Sequence, residues 1–472
     1  MRLQLPLLFT AASVALVVGI GTTGAATAGP LQPAGTVVAQ RQLIGYDTDL
    51  VAPAGVAFDA QGRMYVTNLF DDSVTVYVKN WASGATAPIR TLKGPATGLS
   101  GPVGLTFDSQ GRMYVANSGL TLSPNLTLGT TSVTVYASNW GTGNTAPIKT
   151  LRGAATGLTI ASGVAVDGAG NLSVANAGRS VFLPSANRVR SAAALTGTPS
   201  VTTYAAGWTS GNTAPTKTLK GAATGLGLNL GGIAFDSHGL LHVVNMANMN
   251  FDPQSGSVTV YATNYAGGNT APIKTLAGDD TGLTTPISIA FDARGRMLIT
   301  DAQSRTVQVY RPTWRNGNSP PAQTINTATS IPPAGLLAPA GIAIDARGVL
   351  YVSNLTLNSL ESSVVALPGP PVPPNAPTNL TAVRTNVARN IGTLGDVAGR
   401  NIRLSWTASL ARNTRVTGYL ATCAAPGRVL RATLAATARS VILKGAGAIK
   451  YTCTVRATSA AGPSPVVSVR NA

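Results

Sequence analysis

Three observations predict an all-β chain, most of it a six-bladed β-propeller. The stretch GVAFDAQGRMYVTN from Gly55 returns as GLTFDSQGRMYVAN from Gly104, GVAVDGAGNLSVAN from Gly163, GIAFDSHGLLHVVN from Gly232, SIAFDARGRMLITD from Ser288 and GIAIDARGVLYVSN from Gly341. Each copy reads strand, D-x-x-G turn, strand: Asp bonds the backbone ahead of it, and Gly accepts positive φ. A third strand follows each copy, such as SVTVY at 73, 132 and 257, and in five copies a fourth follows, as in GNTAPIKTLRGAATGL at 143–158. The copies start 49, 59, 69, 56 and 53 residues apart, and four short strands per period is the pattern of propeller blades.

Before the copies stands an export signal. Arg2 is a short basic region, Leu5 to Ile20 an apolar run, and Ala26-Thr27-Ala28 an A-x-A cleavage site, so residues 1–28 read as a signal peptide. A membrane anchor is the competing reading, but the run is short for a span and small polar residues follow it. The mature chain is expected to be soluble, secreted and extracellular, with loose cell-wall association.

The ends of the repeat region predict how the ring closes. The sixth copy has its third strand at 363–367, then runs into PGPPVPP and lacks a fourth. Residues 39–55 align without gaps on 147–163, with Leu43, Gly45, Thr48, Leu50 and Gly55 matching Leu151, Gly153, Thr156, Leu158 and Gly163. The N-terminal strand is therefore expected to complete the last blade, which removes the open ends of the ring. The motif P-x-G-[VI]-A-x-D-x-x-G-x-x-Y-V-x-N…V-x-V-Y resembles the NHL-type repeat of six-bladed propellers over residues 36–367. That resemblance implies a fold but no one function, because propellers host binding domains, sensors and enzymes.

Catalytic groups are hard to assemble. The chain has two histidines, His238 and His242. His238 occupies a turn position held elsewhere by Gln61, Gln110, Ala169, Arg294 and Arg347, and so should face solvent. His242 takes the place of Tyr65, Tyr114 and Tyr351. Two histidines do not make a three-histidine zinc site. Asp59, Asp108, Asp167, Asp236, Asp292 and Asp345 are equivalent turn residues, and a role repeated in every blade is structural. Glu361 is the single glutamate, which leaves no ready acid–base pair of carboxylates. Gluconolactonase-like propellers resemble this one and carry metal-binding Asn or Asp just before the innermost strand; here those positions hold Ala54, Val103, Ser162, Gly231, Ile287 and Ala340, poor ligands for a divalent cation. Streptogramin-lyase propellers use a histidine, a glutamate and a metal, a set not available from Glu361 and these histidines. No catalytic residue, metal or cofactor is assigned.

Binding is expected on one face. Antiparallel blades put first-to-second and third-to-fourth turns on one side of the ring. That side is monotonous: the D-x-x-G turn keeps its length, and the third-strand tyrosine always precedes a proline by 11 positions, from Tyr77 to Pro88 through Tyr310 to Pro321. On the opposite side the second-to-third loops run 4, 14, 23, 11, 4 and 8 residues. The long ones, 118–131, 177–199 and 246–256, belong to adjacent blades. They carry Leu120, Leu122, Phe182, Leu183, Met246, Met249 and Phe251, with Arg188 and Arg190 adding charge, and could form one patch beside the ring mouth or pack on each other. Asn68, Asn117, Asn176, Asn245, Asp301 and Asn354 should lie near the same mouth, binding a polar ligand or bonding the backbone of the loop that follows each. Trp81, Trp140, Trp208 and Trp314, with Tyr265 in the remaining copy, read as packing anchors of the third-to-fourth connections.

Residues 368–377 form a stiff Pro-rich linker. Beyond it the chain resembles a bacterial fibronectin type III domain over 378–472, on APTNLTAV, IRLSW around Trp406, VTGYLATC around Tyr419 and YTCTVRATSAAGPSP from Tyr451. The resemblance places Cys423 and Cys453 on neighbouring strands, and one late pair in an exported chain suggests a disulfide. Of the net charge of +18, residues 375–472 supply +12, from 13 basic residues and one acid, Asp396; residues 31–374 supply only +5. An anionic partner fits such a balance, and so does a solvated basic surface with no partner.

These readings converge on a secreted, bacterial, monomeric binding or scaffold protein that recognises a protein, a glycan or an anionic cell-wall polymer through the variable-loop face. Nucleic acid is not expected, since no basic stretch is interleaved with stacking aromatics. The alternative is a lactonase-like or lyase-like propeller enzyme whose active site the sequence does not identify.

Overall fold

A computed structural model describes residues 35–37, 39–122, 126–178, 197–246, 256–327, 335–356, 358, 360–370, 375–385, 401–409, 415–446, 449–459 and 463–470. The signal region and the Pro-rich stretch 371–374 lie outside the described residues, as do 179–196 and 247–255 of the long loops.

Each copy forms one antiparallel sheet, its strands here lettered a to d from the innermost outward. Sheet 1 is Pro53–Phe58, Met64–Asn68, Ser73–Tyr77 and Arg90–Lys93; sheet 2 is Pro102–Phe107, Met113–Asn117, Ser132–Tyr136 and Lys149–Leu151. Sheet 3 is Ala161–Val166, Leu172–Asn176, Ser200–Tyr204 and Lys217–Leu219; sheet 4 is Asn229–Phe235, Leu241–Met246, Ser257–Tyr261 and Lys274–Leu276. Sheet 5 is Pro286–Phe291, Met297–Asp301, Thr306–Tyr310 and Gln323–Thr327. Sheet 6 takes strands a to c from Pro339–Ile344, Leu350–Asn354 and Ser363–Leu367, and strand d from Arg41–Ile44. That last pairing is antiparallel, with Leu43 opposite Val364 and Arg41 opposite Ala366.

The D-x-x-G turns are built by side-chain chemistry. Asp59 Oδ1 accepts from the backbone N–H of Gln61 and Arg63, and Oδ2 accepts from the Arg63 guanidinium and the Tyr65 hydroxyl. Asp108 repeats this set with Gln110, Arg112 and Tyr114. Gly62 and Gly111 close the turns at φ of 77° and 73°, where a side chain is strained.

Apolar side chains fill the gaps between neighbouring sheets. Val74 and Leu92 of sheet 1 pack with Met113 and Tyr136 of sheet 2, and equivalent clusters join 2 to 3, 3 to 4, 4 to 5 and 5 to 6. Met64 and Tyr77 of sheet 1 also pack with Tyr351 and Val364 of sheet 6. Contacts therefore run in cyclic order back to the start. The inner strands touch backbone to backbone: a Cβ at Gly341 would stand 2.2 Å from the Ala54 carbonyl oxygen, and one at Gly55 would stand 2.4 Å from that of Val103. Glycine in this motif thus sets how closely the strands converge on the axis.

A second set of contacts latches the outer strands. The basic residue opening strand d lies over the aromatic ring of the next sheet's third-to-fourth connection: Arg41 over Trp81, Arg90 over Trp140, Lys149 over Trp208, Lys217 over Tyr265 and Lys274 over Trp314. Four of the five also donate to that aromatic residue's carbonyl. Beside each latch a glycine bridges in parallel to the strand-d leucine, from Leu43–Gly84 to Leu276–Gly317. The junction from sheet 5 to sheet 6 has no such connection, because sheet 6 takes its strand d from Arg41–Ile44, at the other end of the repeat region from its strand c. Gly35–Val37 fills the place, pairing in parallel with strand d of sheet 5 and setting Gly35 opposite Ile325. Gly35 precedes Arg41 by the same six positions that separate Gly84 from Arg90.

Residues 378–470 form two further sheets. One orders Thr378–Thr385, Asn401–Thr407 and Ser440–Leu443; the other orders Arg428–Ala435, Val416–Ala425, Thr452–Ser459 and Val467–Arg470. Their shared core holds Ile402, Leu404, Trp406, Tyr419, Tyr451 and Val455. Cys423 and Cys453 sit opposite one another in the second sheet and are disulfide-bonded.

Candidate binding site: the axial cavity and the variable-loop face

The six inner strands enclose a cavity of about 290 Å³ on the axis. Its wall alternates glycines with Val56, Leu105, Val164, Ile233, Ile289 and Ile342, and its polar side chains are the hydroxyls of Thr106, Ser162 and Ser288. Met246, where strand b of sheet 4 ends, closes part of the wall on the side of the long loops. No titratable side chain lines it. The cavity can hold water or a small neutral group; its described wall holds no group that moves a proton or carries a charge at neutral pH.

The side chains expected near the mouth are placed together but bonded inward. Asn68, Asn117, Asn176, Asn245, Asp301 and Asn354 close strand b of the six sheets and are all buried. Asn68 accepts from the Val51 N–H and donates to Ser73 and Thr75. Asn117, Asn176 and Asn245 accept in the same way from Ser100, Thr159 and Gly227. Asp301 takes the N–H groups of Thr284, Thr285 and Ser304, and Asn354 takes those of Leu337 and Ala338. Each tethers the incoming link of its own sheet to strand b.

Of the loop residues singled out in the sequence, Met246 and Leu120 are described and buried. Leu120–Leu122 pairs with Leu126–Leu128 in a small hairpin, so the first long loop is a built element. Phe182, Arg188, Arg190, Met249 and Phe251 lie outside the described residues.

His242 stands where sheets 1, 2 and 6 have Tyr65, Tyr114 and Tyr351 and sheets 3 and 5 have Ser173 and Leu298. It is buried, edge-on to Phe291 as Tyr65 is to Phe107, with Nε2 3.4 Å from Asp236 Oδ2. Burial pushes its pKa down to about 4, outweighing the upward pull of Asp236. The imidazole is therefore neutral at physiological pH. His238 points outward from its turn, its side chain 80% exposed. Among the described residues no three His, Cys, Asp or Glu gather closely enough to hold a metal ion. No helix there is long and apolar enough to cross a membrane.

Sequence reasoning missed two features. The axial lining is set by glycine and β-branched residues that read as ordinary strand. The latching cations sit in a repeated [RK]-T-L or R-Q-L triplet, six positions after a glycine, and that spacing was the available signal.

No protein-family model matches the chain, and no curated protein is similar to it in sequence. Among solved structures it is similar to a luciferin-regenerating enzyme (10% identity, TM-score 0.45, 69% of this chain and 94% of that one). It is also similar to a putative glucose dehydrogenase from Thermus thermophilus (16%, 0.43, 69% and 99%) and to the PQQ-bound aldose sugar dehydrogenase from Streptomyces coelicolor (15%, 0.41, 71% and 98%). The neighbours are β-propeller proteins, in keeping with the four-stranded sheets. At such identities the likeness is one of fold, and no activity transfers with it.

Proposed function

We propose that this chain is an exported binding protein, an NHL-type propeller that recognises an extracellular or cell-envelope ligand on its variable-loop face, followed by a fibronectin type III-like module. The observation that carries this reading is the contrast between the two faces. One is occupied by D-x-x-G turns and latches of constant length, with the turn aspartates and the latching cations bonded internally. On the other, loops of 14, 23 and 11 residues follow strand b of adjacent sheets, and Met246, where one of those strands ends, lines the cavity. Variable loops on a rigid wheel are where recognition concentrates. The buried disulfide and the N-terminal signal pattern support export.

The test is capture from a cell-envelope extract by the full mature chain and by a variant with all three loops cut to the four residues of sheet 1. Loss of a captured component in the variant, with its melting temperature kept, is the expected result. Unchanged capture sinks the reading. A divalent metal in the purified chain, with a hydrolytic or lyase activity lost on chelation, would replace it with the enzymatic one.

A further inference from the structure

The outer face of the sheet formed by Arg428–Ala435, Val416–Ala425, Thr452–Ser459 and Val467–Arg470 carries a second, independent surface. Alternation puts Cys423, Ala421, Cys453 and Val455 in the core and their neighbours outside. Across the outside, Thr422 pairs with Arg431 on one flank and Thr454 on the other, Leu420 pairs with Thr433 and Arg456, and Thr452 pairs with Arg470. Arg431, Arg456, Thr422, Thr454, Leu420 and Val466 line a shallow groove of about 240 Å³. The two arginines stand on strands flanking the same central strand, roughly 10 Å apart across the sheet.

These cations have no internal use. Arg431, Arg456 and Arg470 have no ion-pair partner among the described residues, and the one acid after residue 374, Asp396, lies outside them. In the wheel, by contrast, Arg63, Arg112, Arg296 and Arg347 pair with turn aspartates and the strand-d cations lie over aromatic rings. Concentrating like charges on one sheet opposes folding through mutual repulsion, and a polyanion relieves it.

The face also limits which polyanion fits. The module has three aromatic rings, Trp406, Tyr419 and Tyr451, and all are buried in its core. Nothing is left on the surface to stack against bases or sugar rings, the contact that single-stranded nucleic acid relies on. Guanidinium forks with hydroxyls between them suit phosphate oxygens.

We infer that this face binds a linear polyol-phosphate polymer: successive phosphodiesters engage Arg431, Arg456 and Arg470, and the threonine hydroxyls supply further donors. The surface is separate from the variable-loop face, so either can fail without the other.

The experiment uses the full mature chain and immobilised poly(glycerol phosphate), titrated with salt. The variant Arg431→Ser/Arg456→Ser/Arg470→Ser is compared with a charge-matched control on the wheel, Arg294→Ser/Arg311→Ser/Arg315→Ser. Single Arg431→Ser and Arg470→Ser variants, at exposed positions, serve should the triple variant misfold. The expected result is an affinity loss of about tenfold or more for the face variant, with a salt slope shallower by roughly two, and little change for the control. Binding by the face variant within about twofold of the parent chain overturns the inference, and so does an equal loss in the control, which would make net charge the cause. Equal or tighter binding of heparin or of a single-stranded oligonucleotide overturns the assignment to a polyol phosphate.

Discussion

Lys149 in the wheel reaches across a sheet boundary, lies over the Trp208 ring and donates to its carbonyl, while Arg112 pairs with Asp108 inside its own turn. Arg431 in the C-terminal sandwich does neither; it faces outward beside threonines. The two regions also hold their sheets differently. The wheel relies on glycine-tight inner strands, six apolar seams and its outer latches, whereas the sandwich has one small core between its sheets and a disulfide between two strands of one sheet. In the repeat ring each strand-d cation has a neighbouring sheet to bind. The outer face of the sandwich's four-stranded sheet has no such neighbour, so Arg431, Arg456 and Arg470 there have no ion-pair partner among the described residues.

The comparison can be broken most forcefully at the axis. Gly341→Val puts side-chain atoms against the backbone of the adjoining inner strand, at Ala54, Gly55 and Val56, where nothing can swing away. A loss of about 4 kcal/mol or failure to fold is expected in chemical denaturation, and a mild effect would mean that the inner strands are not tightly packed. In the sandwich, Cys423→Ala with Cys453→Ala should cost about 3 kcal/mol. Calorimetry should place that loss in the sandwich transition and leave the wheel's midpoint unmoved.

Acid sharpens the difference within the wheel. The unfolded chain protonates His242 near pH 6.5, but the folded chain resists until about pH 4 because burial opposes the charge. Stability present above pH 6.5 therefore declines as pH falls through this window, by roughly 2–3 kcal/mol. His242→Tyr, which restores the residue of sheets 1, 2 and 6, should flatten that part of the stability–pH curve. The smallest effects separate the two uses of cations. Lys149→Met should cost about 1–2 kcal/mol through the lost ring contact and hydrogen bond. Arg431→Met should stay within about 0.5 kcal/mol. Equal costs at the two positions would erase the distinction.

The strands, turns and ring-completing segment were legible because each is a local pattern repeated six times. Alternation, the Asp–Gly turn and the gap-free match of 39–55 to 147–163 all point the same way. The candidate site was less legible. Asn68 and its counterparts read as mouth residues that hold a ligand or bond the loop that follows; they bond N–H groups of the incoming link, since only the pairing of strand b with that link decides which groups need a partner. The [RK]-T-L cation and the tryptophan were each visible as repeats, but not as a pair, because they lie about 40–60 residues apart on different sheets.

Periodicity, turn chemistry and charge bias along the chain sufficed to determine that this protein is a ring of β-sheets with a basic module behind it, because those properties depend on residues within a few positions of one another. Packing in three dimensions determined that the axis is lined by glycine and aliphatic side chains, that Gly35 takes the bridging glycine's place beside sheet 5, and which arginines of the sandwich face have no ion-pair partner among the described residues. Those outcomes depend on which distant strands become neighbours, and a one-dimensional pattern does not contain that distance.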